Sequence, residues 1–166
     1  IGIMPRNGSV KDLKWFRGEA SYVFHPMNAF TGDDGKIVCD VCEYPEAPLF
    51  PGVDGQPGDP KKALAKLVRW TFDLNAQTDV YQVEQLDDLV CEFPRLDERR
   101  AGLSYRFGYF AGDTQPPEKV GGFNVIAAID HQTGKLNSHD VGEGCATSEP
   151  IFVPRSPSCE EGDGFL

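Results

Sequence analysis

The chain has 166 residues and a formal net charge of −10 at pH 7. This acidity argues against a protein that binds nucleic acid or an anionic membrane surface, because both partners require a basic face. No stretch approaches the roughly 20 apolar residues that a membrane-spanning helix needs. The length suits one domain with its own core, and the 18 Gly, 13 Pro and 11 Phe residues favour an all-β protein rich in turns.

The N-terminal part predicts strands joined by short turns. A short strand and turn occupy residues 1–8, and alternating runs follow at 22–30 and 36–44. Five turn-forming residues separate those two runs, which favours a β-hairpin. Residues 45–62 are so rich in Pro, Gly and Asp that they predict a long loop.

The rest of the chain repeats this arrangement. Residues 87–102 are predicted to be a connection and residues 114–122 a loop. The predicted strands are 66–74, 80–86, 105–110, 124–130, 135–141, 151–153 and 165–166. Strand, turn, strand, with a longer loop every 40 to 50 residues or so, is typical of β-propeller blades, and roughly three to four blades fit this length. A β-sandwich is the alternative on pattern alone.

The five cysteines form no disulfide pattern, because their number is odd and their spacing irregular. This favours free thiols in a reducing compartment, and hence a cytoplasmic protein. Cys39 and Cys42 match C-x-x-C, but they lie in a predicted strand, where residues three apart face opposite ways. We therefore expect neither a zinc site nor a redox disulfide at this pair.

One histidine lies inside an apolar, strand-forming run at residues 21–30. In a regular strand, His25 shares a face with Val23, Met27 and Ala29, so the imidazole is predicted to point into an apolar interior. The residues alone favour a core histidine bonded to a backbone carbonyl over a metal ligand or an acid/base group. His131, in a predicted hairpin turn, and His139, in a polar strand, are predicted to lie on the surface.

Three segments resemble the carotenoid cleavage oxygenase family, most closely its lignostilbene dioxygenase branch. They read FHPMNAF at 24–30, EFPRLDER at 92–99 and SEPIFVPR at 148–155, and their order and separation fit the family as well as their content. The resemblance implies a seven-bladed β-propeller with an axial Fe(II) held by four histidines. Residues 1–166 would then form part of one such domain, truncated at both ends.

The resemblance also assigns roles to individual side chains. It implies that His25 is the third iron ligand in chain order, which reverses the preference for a core histidine. It further implies that Glu92 accepts a hydrogen bond from that imidazole and that Glu149 does so from the fourth histidine. The other three ligands would lie outside this chain.

The implied reaction is the cleavage of a carbon–carbon double bond by O2 to give two aldehydes. A stilbene-type substrate is expected, with an apocarotenoid or carotenoid as the alternative, and a homodimer of the full-length protein is a further expectation. Phe24, Phe30 and Phe50 are candidates for lining an apolar substrate tunnel, on the grounds of composition and closeness to His25. A different class of function also stands open, in which a degenerate propeller has lost its metal and serves as a binding module.

Overall fold

A computed structural model describes residues 1–59, 62–115 and 122–166, and these residues form an all-β structure, as the composition predicts. Short 3-10 helices lie at Val10–Asp12 and Glu98–Arg100. The strands are β1 (Gly2–Ile3), β2 (Lys14–Trp15), β3 (Tyr22–Thr31), β4 (Ile37–Tyr44), β5 (Lys66–Phe72), β6 (Gln82–Leu96), β7 (Phe107–Asp113), β8 (Val125–Asp130), β9 (Lys135–Asp140), β10 (Val153–Pro154) and β11 (Gly164–Phe165).

Strands β3 to β9 form one antiparallel sheet of seven strands in chain order, within the described ranges. Strand β6 belongs to both halves of this sheet. Its first part pairs with β5 through Gln82 to Gln85 and again at Val90, and its second part pairs with β7 through Val90 to Leu96. The sheet is thus two four-stranded units that share β6. Strands β1 and β2, and likewise β10 and β11, form separate two-stranded sheets.

The prediction of a connection at residues 87–102 is wrong in its first part, because β6 continues to Leu96. Asp87 and Asp88 look like loop residues in the sequence. In the structure they lie at an irregularity in the pairing of β6 with β5, between Gln85 and Val90. A polar pair at an irregularity within a strand cannot be distinguished from a loop by local pattern.

The predicted hairpins are confirmed where the structure describes them. β3 pairs with β4 and β8 with β9, and both pairs have the turns that the sequence indicates. The described part of the 45–62 loop contains no strand. Residues 60 and 61 of that loop, and residues 116–121 of the loop predicted at 114–122, lie outside the described residues.

The core is divided between two clusters of buried side chains. The larger one fills the space between the two four-stranded units and includes Met27, Cys42, Cys91 and Phe110. The smaller one is aromatic and contains Phe16, Phe72 and Tyr81. Tyr44 of the larger cluster also lines the cavity described below. No helix in the described part of the chain has the length and apolar character needed to cross a membrane.

The C-x-x-C cysteines face opposite sides of β4, as predicted. Cys42 belongs to the larger cluster, whereas Cys39 packs against the smaller one. The sequence did not indicate that Cys42 meets Cys91, whose sulfur lies 3.5 Å away as a free thiol. Burial raises the pKa of Cys39 to about 11, so this thiol stays protonated and unreactive.

Candidate functional site

Strand β3 is irregular around His25. The register against β4 shifts between Val23 and Pro26 and again between Pro26 and Asn28. Pro26 has no N–H to give to the sheet, and prolines within strands are typically found at such bulges. Consequently Met27 and Asn28 are both buried although they are adjacent, and the side chain of His25 is 47% exposed. The prediction that this imidazole points into an apolar interior is therefore wrong.

The imidazole of His25 is held by a carboxylate from the neighbouring unit of the sheet. Its Nδ1 lies 2.6 Å from Oε2 of Glu92, a residue 67 positions later in the chain. Glu92 is only 4% exposed, and both of its carboxylate oxygens have hydrogen-bond partners. Oε2 also accepts from the backbone N–H of Phe93, and Oε1 accepts from the hydroxyl of Tyr44. A buried carboxylate requires such partners, because an unpaired charge in the interior is costly.

The backbone after Glu92 adopts an unusual conformation. Phe93 has a φ of 54°, in the left-handed region, and lies where the pairing of β6 with β7 shifts register. A bulky residue in this region costs on the order of 1–3 kcal/mol and persists only where the surroundings impose it. The bend brings the Phe93 ring to 5.4 Å from the His25 ring and directs its own N–H to Glu92.

A cavity of about 390 Å³ opens beside His25, and its lining is mostly apolar. Its aromatic walls are Phe24, Tyr44, Phe93 and Phe123, and Leu49 adds an aliphatic side chain. The volume lies within the usual range for small-molecule pockets. An imidazole and a buried carboxylate at the edge of an aromatic cavity suit the binding of an apolar, conjugated molecule near a metal or proton-transfer site.

The three phenylalanines predicted to line a tunnel are dispersed. Phe24 lines the cavity with His25 and packs edge-on against Tyr44. Phe30 packs against Tyr105 and lines a different cavity, and Phe50 lies in a pocket of the 45–59 loop. Among the described residues, the structure therefore gives Phe24 alone of the three a place beside His25.

Glu149 lies close to the same cavity in sequence, since Thr147 and Ser148 line it. Its Oε1 accepts a hydrogen bond from Arg95 at 2.8 Å, and its side chain is 47% exposed. The described residues contain no group of three or more His, Cys, Asp or Glu side chains arranged to hold a metal. In this part of the structure, His25 could therefore offer a metal ion one imidazole nitrogen, without a group of further ligands around it.

A second polar cluster was not predicted, and it corrects the prediction for His131. Asp40 is fully buried and accepts from Arg69 at 2.7 and 2.8 Å and from the hydroxyl of Tyr105 at 2.5 Å. His131 packs edge-on against Tyr105, and its side chain is 5% exposed, so the prediction of a surface residue is wrong. Its backbone N–H donates to the carbonyl of Arg106 at 2.8 Å. His139 is exposed, as predicted.

Comparison with known proteins places this geometry in a family. The family model described as retinal pigment epithelial membrane protein matches residues 1–166. Over all of its length the chain is 37% identical to an isoeugenol monooxygenase of Pseudomonas putida and 38% identical to a lignostilbene-alpha,beta-dioxygenase isozyme III of Sphingomonas paucimobilis. The chain spans 36% of the length of each of these relatives.

Solved structures show the same relationship. A crystal structure of Pseudomonas brassicacearum lignostilbene dioxygenase matches 98% of this chain with a TM-score of 0.89 at 35% identity, and 36% of that chain is covered. A cobalt-substituted Synechocystis ACO matches 98% of this chain with a TM-score of 0.81 at 28% identity, over 33% of its own length. The two sheet units sharing β6 are thus part of a β-propeller. The chain belongs to the retinal pigment epithelial membrane protein family, which is the family of the carotenoid oxygenases.

Proposed function

We propose that this chain supplies part of a non-haem Fe(II) dioxygenase that cleaves the double bond of a stilbene-type substrate with O2 to give two aldehydes. The observation that carries the proposal is the His25–Glu92 pair at the edge of an aromatic cavity. Family membership and the names of the relatives support the same class of chemistry.

His25 fits the role of one ligand of such an iron site. Glu92 is an acceptor for Nδ1, and an ionised carboxylate cannot donate, so Nδ1 carries the hydrogen and Nε2 keeps its lone pair. Metal-bound histidines usually donate their second N–H to a carboxylate in this way, which fixes the ring and raises its basicity. Fe(II), when bound, would supply the binding and activation of O2.

The residues of this chain would contribute three things to the reaction. Glu92 holds the proton at Nδ1 of His25 and fixes the orientation of the ring. The rings of Phe24, Phe93 and Phe123 form apolar walls that exclude water. The same walls favour a flat conjugated substrate and limit its orientation, which lowers the entropy that must be lost in reaching the reactive geometry.

The substrate class is the finer part of the proposal. A stilbene fits the aromatic cavity and the name of the lignostilbene dioxygenase relative. Isoeugenol, from the name of the other relative, is a second aromatic candidate. An apocarotenoid or carotenoid is the remaining alternative, supported by the likeness to the Synechocystis apocarotenoid oxygenase. Three expectations stay predictions. They are that Glu149 accepts a hydrogen bond from a fourth iron-binding histidine, that the full-length protein forms a homodimer, and that it is cytoplasmic.

The test uses the full-length protein with His25→Ala, and His139→Ala as the matched control on the exposed strand β9. We expect His25→Ala to lose bound iron and aldehyde formation to background, whereas His139→Ala keeps both. Iron is measured by elemental analysis, and aldehydes by chromatography after incubation with hydroxystilbenes, isoeugenol and apocarotenals in turn. Full iron content in His25→Ala would overturn the assignment. An iron-free, inactive wild-type protein would favour the degenerate propeller as a binding module.

A further inference from the structure

The two oxygens of the Glu92 carboxylate are held by different groups. Oε2 lies 2.6 Å from Nδ1 of His25 and accepts from the N–H of Phe93 at 2.6 Å. Oε1 accepts from the hydroxyl of Tyr44 at 3.1 Å. Among residues 1–59, 62–115 and 122–166, Tyr44 alone donates to Oε1. The phenol therefore fixes one end of the carboxylate and leaves the other for the imidazole.

Tyr44 is itself fixed. It is the last residue of β4 and pairs with Tyr22 of β3, which places it across the strand pair from the His25 segment. It is only 5% exposed, and its ring packs edge-on against Phe24 at a centroid distance of 5.6 Å. Burial, and secondly the negative charge of Glu92, raise the pKa of Tyr44 well above its usual value. The phenol thus stays protonated and acts as a donor.

The Tyr44 hydroxyl affects the imidazole of His25 through two hydrogen bonds, one on each oxygen of Glu92. The terminal torsion of a glutamate side chain has a broad energy minimum. Without Tyr44, the Glu92 carboxylate would be held at Oε2 alone and could rotate about this torsion. With Tyr44 on Oε1, rotation would break a buried hydrogen bond and leave the carboxylate oxygen without a donor, which is unfavourable. Oε2 is therefore kept opposite Nδ1 of His25.

We propose that Tyr44 is a positioning residue for His25, acting through Glu92. Its hydroxyl holds the carboxylate in the orientation that keeps the hydrogen of His25 on Nδ1 and leaves the Nε2 lone pair free. For a metal-binding His25 the inference rests on the proposed function. The hydrogen-bond relay from Tyr44 through Glu92 to His25 is a property of the chain itself.

The test is the tautomer of His25 in the metal-free full-length protein with Tyr44→Phe. Long-range ¹H–¹⁵N NMR spectra distinguish the two ring nitrogens, and the pH is kept above the ordinary imidazole value of about 6.5. We expect the wild-type chain to show the Nδ1–H tautomer. In Tyr44→Phe the two ¹⁵N resonances should move toward each other, which indicates a mixture of tautomers.

The matched control is Tyr81→Phe, which removes a buried hydroxyl from the smaller core cluster, away from Glu92. Its His25 resonances should coincide with those of the wild type. If Tyr44→Phe fails to fold, 4-fluorophenylalanine at position 44 fills the space of the hydroxyl but cannot donate a hydrogen bond. The two ¹⁵N resonances of His25 should then move toward each other as well, and unchanged resonances would overturn the inference. Unchanged His25 resonances in a folded Tyr44→Phe chain, or equal shifts in Tyr81→Phe, would overturn the inference.

This measurement contains no metal and no substrate. Failure of the relay would leave the oxygenase proposal standing, because His25 could bind iron without help from Tyr44. Failure of the oxygenase proposal, seen as an iron-free wild-type full-length protein, would leave the tautomer result unaffected. The two results are therefore distinguishable.

Discussion

His131 carries a buried polar atom without a partner. Its Nδ1 lies 3.4 Å from the guanidinium of Arg69, which can only donate, so Nδ1 accepts and Nε2 carries the hydrogen. Nε2 is buried and has no hydrogen-bond partner in the described structure, and the nearest carboxylate oxygen, on Asp40, is 3.9 Å away. Burial lowers the pKa of His131, Asp40 opposes this effect, and Arg69 adds to it.

This residue should make stability depend on pH in mildly acidic solution. The folded-state pKa of His131 lies below its unfolded value of about 6.5, so the unfolded chain binds more protons between the two values. The free energy of unfolding should therefore fall as the pH drops below 6.5, before the carboxylates titrate near pH 4. Urea unfolding at a series of pH values measures this slope.

In His131→Phe the slope between the unfolded and folded pKa values of His131 should be smaller than in the wild type, because the buried ring no longer titrates. His139→Gln, on the exposed strand β9, is the matched control. A His131→Phe chain with the wild-type slope would show that other groups cause the pH dependence.

At the scale of elements, Asn28 ties strand β3 to the turn that follows β6. Its side-chain amide donates to the carbonyl of Leu103 at 3.0 Å, with a longer contact to Arg100, and its oxygen accepts from the N–H of Gly102 at 2.9 Å. Asn28 is 8% exposed, and its burial next to Met27 is a consequence of the bulge at Pro26. The irregularity that turns His25 toward the cavity thus also directs an amide into the turn.

Asn28→Ala is expected to lower the free energy of unfolding by about 1–3 kcal/mol, because it leaves backbone groups of the turn without partners. Denaturant unfolding followed by circular dichroism measures the change. Asn137→Ala, at an exposed position of β9, is the control and should change stability by less than about 0.5 kcal/mol. Equal effects of the two substitutions would mean that Asn28 does not secure the turn.

At the scale of the whole molecule, the site is shared between units of the sheet. His25 comes from β3 and Glu92 from the second part of β6, which begins the next four-stranded unit. The edges of this sheet, β3 and β9, each have one neighbour among the described strands. Such edges expose unpaired backbone groups.

The purified 166-residue chain is expected to bind Fe(II) at well below one equivalent and to form no aldehyde. The reason is that His25 is its single candidate ligand and that the described residues contain no three-ligand group. Anaerobic titration with Fe(II) followed by isothermal calorimetry measures the stoichiometry. A tight one-to-one complex would contradict the prediction and would require ligands other than the family's histidines.

The sequence by itself determined the all-β class, the hairpins β3–β4 and β8–β9, and the family. These depend on local information: alternation over a few residues, turn-forming residues between strands, and motifs in a fixed order. The family motifs also singled out His25 and Glu92, which the structure brings to 2.6 Å.

The tertiary structure alone decided the rest, because each remaining feature depends on contacts between residues far apart in the chain. Tyr44 meets Glu92 across 48 positions, and Tyr105 meets Asp40 across 65. The half-exposed imidazole of His25 follows from a register shift against β4, and the burial of His131 follows from packing against Tyr105. Alternation indicates which side chains share a face of a regular strand. It cannot indicate where the register breaks or which distant strand lies opposite, since those are set by the packing of the whole sheet.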